Sequence, residues 1–327
     1  MATYKELKGF KVKSLASDPT VDLGQLWYNT TSSTLKYDGV GAGAWASIAA
    51  CNNARGSGGS LGGTPYTGVV MMGGEPSVAS GDKTETYNGT AWTEVNTMLA
   101  ARNIGIAGGT NTAALIAGGP STTTDIWDGT CWTSDGTAPG VQNTGWTGAA
   151  TTDVTGASGT TPAPAALNTS VRYNGTSWSA GATLSRAANY GSDGATAAPG
   201  STALIFGGLF YPPSTTTAVT EQYNGTGWTT VNAMSTARYY AGGCGTSTAA
   251  MEVGGRGPPP TVDTGIVESW NGTSWTTVAS LGTATIYANA SGGTTAAIAA
   301  SGAPPYYATR CEEWTGVPAS VKTVTTS

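Results

Sequence analysis

The chain has 327 residues, of which only 10% are charged; it carries 49 Gly, 11 Trp and 14 Tyr, and its net charge is −5. Globular domains usually carry about 25% charged residues. The acidic balance and the lack of a long basic run argue against general nucleic-acid binding, and no stretch is apolar for the ~18 residues that a spanning helix needs, so no membrane insertion is expected. There is no histidine, which removes the commonest general acid–base, the commonest metal ligand and any Ser-His or Cys-His nucleophile pair. The start, M-A-T-Y-K-E-L-K-G-F, lacks the apolar core of a signal peptide. Cys51, Cys131, Cys244 and Cys311 are far apart and without CxxC spacing, and read as isolated, reduced thiols.

Taken in chain order, Phe10–Leu15 reads as a first strand. G-Q-L-W-Y-N and T-L-K-Y-D-G read as two more around the turn T-T-S-S, followed by A-W-A-S-I. Together these form one divergent copy of the unit that follows. That unit is an aromatic, Asn-Gly or Asp-Gly, Thr, any residue and Trp: Y-N-G-T-A-W at Tyr87, W-D-G-T-C-W at Trp127, Y-N-G-T-S-W at Tyr173, Y-N-G-T-G-W at Tyr223 and W-N-G-T-S-W at Trp270. Degenerate copies flank these at Tyr37 and Trp314, and the intervals between first aromatics are 50, 40, 46, 50, 47 and 44 residues. Thr93–Gly119 and Thr229–Gly255 are identical at 13 of 27 ungapped positions, so the units are duplications. Periods of about 40–50 residues belong to four-stranded propeller blades.

Each unit divides into four predicted strands. The first, such as N-I-G-I-A-G-G or Y-Y-A-G-G-C-G, is made of small residues, as strands converging on an axis require. The second is an apolar run closing in a glycine pair (V-V-M-M-G-G, A-L-I-F-G-G), which suits burial on both faces and a sharp exit. The third carries the first aromatic, after which N-G or D-G is expected as a two-residue hairpin turn. The fourth opens with Trp, large enough to fill the wedge between diverging blades.

Arg55, Arg102, Arg186 and Arg238 each precede a first strand, while Glu85, Asp125, Glu221 and Glu268 stand two residues before the third-strand aromatic. The third unit loses both charges together (Gln142, Val171), as expected of a physical pair, since one buried charge left alone is costly. The sixth has Thr285 with Glu312, and Arg310 is a substitute cation. An Arg–carboxylate clamp is the expected role; the rival is an arginine cluster binding an anionic ligand.

Ala-Arg before the first strand, Gly-Gly closing the second, then Tyr or Trp and a later Trp resemble the kelch repeat over roughly Ala54–Thr315. The resemblance implies a propeller fold and says little of function. The segment S-L-A-S-D-P-T-V-D-L-G-Q-L-W-Y-N-T-T-S-S-T-L-K-Y-D-G is similar to the opening of structural proteins of tailed bacteriophages, especially marine cyanophages, over roughly Lys5–Ile48. The expected fold is thus an all-β, kelch-like β-propeller of seven four-stranded blades, with six as the alternative. Residues 1–23 are a docking arm or first strand, and 24–327 the propeller.

Enzymatic readings find little support. Kelch-like copper oxidases need histidine ligands; sialidase-like boxes have a different turn-to-Trp spacing; and glycoside hydrolysis needs two acids about 5–10 Å apart, whereas the unpaired acids Asp82, Asp193 and Asp263 are scattered through loops. No cofactor or metal is expected. The second-to-third strand connections, such as L-F-Y-P-P-S-T-T-T, R-G-P-P-P-T-V-D and A-P-P-Y-Y-A-T-R, vary between units and are stiffened by proline. Phe210, Tyr211, Arg256, Tyr306 and Tyr307 are therefore candidate contact residues, the aromatics for stacking on sugars or anchoring a protein. The alternative is that these loops fold back as lids over blade edges. The expected function is a non-enzymatic virion structural or attachment protein, whose partners are other virion proteins and a host surface glycan or receptor.

Overall fold

The computed structural model of the chain describes residues 12–19, 26–39, 43–56, 60–62, 66–74, 81–102, 105–119, 121, 123–137, 145–157, 167–185, 193–194, 200–210, 215–258, 260–302, 307–316 and 320–324. Among these it is all-β: apart from a single 3-10 turn at Tyr66–Gly68, the regular structure is strand, arranged in many small and mostly antiparallel sheets. The chain divides into two compact units, Ala44–Trp314 and a smaller one made of Met1–Gly43 with Thr315–Ser327.

The larger unit holds six four-stranded sheets. The first is Ser60–Gly62, Val69–Met72, Thr84–Tyr87 and Trp92–Val95. The second is Ile106–Thr110, Ala113–Ala117, Thr123–Trp127 and Trp132–Thr137. The third is Gly145–Ala150, Asp153–Ala157, Ser170–Tyr173 and Trp178–Ala180. The fourth is Asp193–Gly194, Leu204–Phe206, Thr220–Tyr223 and Trp228–Val231. The fifth is Gly242–Thr246, Ala249–Val253, Val267–Trp270 and Trp275–Val278. The sixth takes Asn289–Gly293, Ala296–Ala300 and Cys311–Thr315 from the end of the repeats, and its fourth strand, Ala44–Ile48, from before them.

First strands of successive sheets lie side by side, and that of the sixth also neighbours that of the first. Their approach explains the small residues. A Cβ on Gly243 would meet the carbonyl oxygen of Gly194, in the preceding sheet, at 2.2 Å, closer than any side chain tolerates. Second strands are buried beyond their first residue, and along their whole length at Val69–Met72 and Leu204–Phe206, which is why their sequences do not alternate.

The aromatic motif pairs its two rings directly across the third and fourth strands. The centroids are 5.1 Å apart for Tyr87 and Trp92, 5.4 Å for Trp127 and Trp132, and 5.5 Å for Trp270 and Trp275. The turn between them differs from the expected Asn-Gly pair. The N–H of Asn88 donates to Ala91 O at 3.3 Å, so Gly89 and Thr90 are the central residues. Gly89 alone has positive φ, at 91°, the first central position where a II′ hairpin wants glycine. Asn88 instead turns its side chain inward and accepts the N–H groups of Thr90 and Ala91, each at 2.9 Å. The same capping recurs at Asp128, Asn174, Asn224 and Asn271.

Each fourth-strand indole reaches the sheet before it. Trp132 Nε1 donates to Thr84 at 3.0 Å, Trp178 to Thr124 at 2.8 Å, Trp228 to Ser170 at 3.4 Å and Trp275 to Thr220 at 2.9 Å. In the remaining two cases the hydroxyl is replaced. Trp45 packs in one apolar cluster with Val267, and Trp92 in another with Cys311; both indole nitrogens are buried without a hydrogen-bond partner.

The segment Leu26–Ile48 does not build one sheet as expected. Leu26–Asn29 and Thr34–Gly39 join Lys13–Leu15 and Ser320–Thr323 in the sheet of the smaller unit, whereas Ala44–Ile48 goes to the sixth sheet. The physical reason is a missing partner. After Trp314 the chain has no N-G-T-x-W turn and no following Trp, and Trp45 supplies that ring, 5.6 Å from Trp314 at the same tilt as its counterparts. In the smaller unit Asp18 gathers Trp27, Asn29 and Lys36 at 3.2, 2.6 and 2.7 Å. The Lys36 ammonium, foremost, holds its carboxyl below the usual range.

Replacing Thr220 with Val leaves the Trp275 indole unmatched and is expected to cost about 1–2 kcal/mol. The converse change, Val267→Thr, offers Trp45 the hydroxyl its counterparts have and is expected to stabilise by about 0.5–1 kcal/mol. Urea denaturation followed by tryptophan fluorescence measures both; destabilisation by both would refute the indole–hydroxyl account.

Candidate functional site

The glycine pairs and arginines that punctuate the sequence meet at the junctions between sheets. The second glycine of a pair donates its N–H to the backbone carbonyl at the arginine position of the next repeat. Gly74 donates to Arg102 at 2.8 Å, Gly208 to Arg238 at 2.7 Å, Gly255 to Thr285 at 2.7 Å and Gly302 to Arg55 at 3.0 Å. The first glycine has no room for a side chain, since a Cβ on Gly73 would meet Arg102 O at 2.5 Å. Its φ of 66° would also strain any other residue.

While its backbone holds the preceding sheet, each arginine sends its side chain into the following one. Arg55 meets Glu85 at 3.0 Å and donates to Gly73 O and to Lys83 O. Arg102 meets Asp125 at 2.8 Å and Thr123 O at 2.8 Å. Arg238 lies 3.3 Å from Glu268 and 3.0 Å from a second acid, Glu252, and donates to Ile266 O. All these charged groups are at most 1% exposed. The carboxylates also accept from the chain that enters their sheet. Glu85 takes the backbone N–H groups of Asn52 and Asn53, Glu268 those of Ser235 and Thr236, and Glu221 the N–H and hydroxyl of Ser185. Arg186 lies outside the described residues. Buried and bound to carbonyls of their own sheets, Arg55, Arg102 and Arg238 present no guanidinium surface for an anionic ligand.

The sixth sheet solves the same junction differently. Thr285 stands at the arginine position and receives Arg310 Nη2 at 2.7 Å, while Glu312 accepts the N–H of Gly282 at 2.8 Å. A cavity of about 10 Å³, the room of one water, remains between Thr285, Ser301, Arg310 and Glu312. Burial lowers the pKa of Arg310. In the third sheet Val171 stands at the acid position on Ser170–Tyr173.

The connections leading into first strands and those leaving second strands come together at these junctions, and tyrosines gather there. Tyr239 exchanges backbone hydrogen bonds with Arg256, 3.1 and 2.8 Å, and Tyr287 N–H donates to Tyr240 O at 2.7 Å. The rings of Tyr239 and Tyr240 are 4.7 Å apart and those of Tyr240 and Tyr287 4.2 Å. Tyr240 and Tyr287 occupy equivalent positions, two residues past Arg238 and Thr285, and both have φ of 55°, a region bulky residues rarely visit. Both are half-buried. Sequence reasoning missed them, although two tyrosines at the head of a strand otherwise built from Gly, Ala and Cys were the signal.

Of the expected contact residues, Tyr307 is half-buried with φ of 69°, and its ring occupies the space over Gly56. Phe210, half-buried, lies on the two-stranded ribbon Leu209–Phe210 with Thr215–Thr216. Arg256 binds Asp263 at 2.6 Å, the carboxylate raising its pKa. Tyr211 and Tyr306 lie outside the described residues. Among the described residues no group of three or more Cys, Asp or Glu could hold a metal ion, and no helix is long and apolar enough to cross a membrane. Of the scattered acids, Asp263 is engaged by Arg256, Asp82 has a buried oxygen without a partner, and the Asp193 side chain lies outside the described residues.

Arg102→Met leaves Asp125 buried and uncompensated, an expected loss of about 3–5 kcal/mol. Adding Asp125→Leu removes both charges and is expected to recover most of that loss. Additive losses for Arg102→Met and Asp125→Leu in the double variant, measured in urea, would show that the pair is not coupled. In comparison with known proteins, the chain matches no protein-family model and no curated protein sequence.

Proposed function

We propose that the repeats form a six-bladed, kelch-like β-propeller acting as a non-enzymatic structural or attachment component of a tailed-phage virion. The order of first-strand neighbours, which runs through six sheets and returns from the sixth to the first, supports the ring. The strand Ala44–Ile48, completing the sixth sheet, acts as its closure. The six four-stranded sheets of the larger unit are the blades in this reading; Leu26–Asn29 and Thr34–Gly39 belong to the four-stranded sheet of the smaller unit.

One observation carries the functional reading: ionisable groups in the sheets are committed to structure, whereas the aromatic groups at the junctions are half-open. Glu85, Asp125 and Glu268 are each held by an arginine, and Glu252, opposite Glu268 across the strands, shares Arg238 with it. The tyrosines Tyr240, Tyr287 and Tyr307 instead offer stiff, amphipathic surface at low entropic cost. Such a surface suits a neighbour in an assembly. The amino-terminal segment, which resembles the opening of phage structural proteins, is the docking element. A carbohydrate-binding, receptor-recognition role is the second reading, favoured by the close, tilted Tyr240–Tyr287 pair.

Deleting residues 2–23 is expected to abolish incorporation into particles while leaving the repeats folded by circular dichroism; normal incorporation would defeat the docking role. Tyr240→Ala with Tyr287→Ala is expected to leave incorporation intact if the face reads a host glycan, and to remove glycan-array binding. New reducing ends released from polysaccharides by the purified protein would point instead to a glycan-cleaving enzyme.

A further inference from the structure

Two cysteines expected to be isolated are neighbours, and they meet at the sixth sheet, where a strand from before the repeats completes the last one. The N–H of Cys51 donates to Thr309 O at 2.9 Å. Both sulfurs lie on that same oxygen, Cys51 Sγ at 3.3 Å and Cys311 Sγ at 3.6 Å. They share one apolar cluster and are 3% and 2% exposed. The other repeats show what these positions ordinarily hold. The place of Cys51, six residues after the fourth-strand Trp, belongs to Met98, Leu184, Met234 and Leu281, whose N–H groups make the same bond to Asp82, Asn168, Ala218 and Gly265 at 2.7–3.0 Å. The place of Cys311 belongs to Thr84, Thr124, Ser170, Thr220 and Val267. Cys131, in a turn, and Cys244, on a first strand, occupy neither, so the two cysteines coincide only where the chain closes on itself.

We propose that Cys51 and Cys311 are a disulfide site that covalently fastens the amino-terminal closing strand to the sixth sheet, with a low-molecular-weight disulfide such as oxidised glutathione as oxidant. The Cys311 thiolate attacks one sulfur of the small disulfide, forming a mixed disulfide and releasing one small thiolate. Cys51 gives its proton to that thiolate and attacks Cys311 Sγ; the second small thiolate leaves and takes up the proton that Cys311 lost on ionising. Two protein thiols are oxidised and one disulfide is reduced to two thiols. Thr309 O brings the two thiols together, and their mutual influence supports this order. Cys51 is held well above the usual thiol range, first by Cys311 beside it and then by burial. Cys311 is lowered, first by Cys51. The exposed Cys131 is raised by its bond to the Asp128 carboxylate. A link between these positions closes a loop containing almost the whole repeat region, the case in which a cross-link restricts the unfolded chain most.

The test uses the full chain carrying Cys131→Ser, equilibrated in reduced and oxidised glutathione both as folded protein slightly below its unfolding midpoint and during refolding from urea. The thiols are then alkylated under denaturing conditions and the peptides mapped by mass. The expected result is a reducible peptide pair joining Cys51 to Cys311, with Cys244 alkylated throughout. The thermal midpoint is expected to rise by about 5 °C or more, and the rise to vanish in Cys51→Ser and Cys311→Ser. Full alkylation of both cysteines, or separate glutathione adducts without a link, in both arms overturns the proposal.

Discussion

Everything in the larger unit depends on one residue position that belongs to two sheets. At Arg102 the carbonyl accepts from Gly74 behind it, while the guanidinium passes into the next sheet to Asp125 and Thr123 O. The carbonyl contact needs glycine at Gly73, because a Cβ there would overlap Arg102 O, and a guanidinium buried this deeply needs its carboxylate. Buried ion pairs contribute little net stability against well-packed apolar groups. What this one supplies is a fixed link: the residue whose carbonyl is held by one sheet is anchored by its side chain in the next.

A second contact, at the opposite edge of each sheet, holds the same relation. The fourth-strand Trp fills the gap to the sheet before it and meets a hydroxyl on that sheet's third strand, as Trp275 meets Thr220. Junction and wedge together let copied sheets be placed by copied contacts, so each repeat positions its neighbour by the same means. Where a copy deviates, the deviation is local and compensated. Arg310 comes to Thr285 from a neighbouring strand, and Val267 and Cys311 stand where the other repeats carry a hydroxyl, leaving the Trp45 and Trp92 indoles without a hydrogen-bond partner. The division between structure and contact surface follows. Charge is consumed within the junctions, and tyrosines beside them remain half-exposed.

Much of this was legible before any coordinates. The period, the small-residue first strands, the apolar second strands and the association of Arg with an acid a fixed distance later follow from local chemistry repeated often enough to stand out. The hairpin turn was legible only in outline: an Asn-Gly pair suggested two positive-φ residues, but the Asn88 side chain captures two N–H groups and moves the turn forward by one residue. The tyrosine group was not legible, because its members, Tyr239, Tyr240 and Tyr287, belong to two repeats and their rings meet only when successive first strands lie side by side.

The sequence alone determined the unit: its length, its strand order and the residue types at each edge, all consequences of side-chain size, turn chemistry and the cost of an unpaired buried charge. The tertiary structure alone decided which strand completes the last sheet, and therefore that Trp45 faces Trp314 and Cys51 lies against Cys311. No local pattern carries that information. A strand lacking a partner in its own repeat takes whichever distant segment offers a matching ring and free backbone groups, and that match exists only in three dimensions.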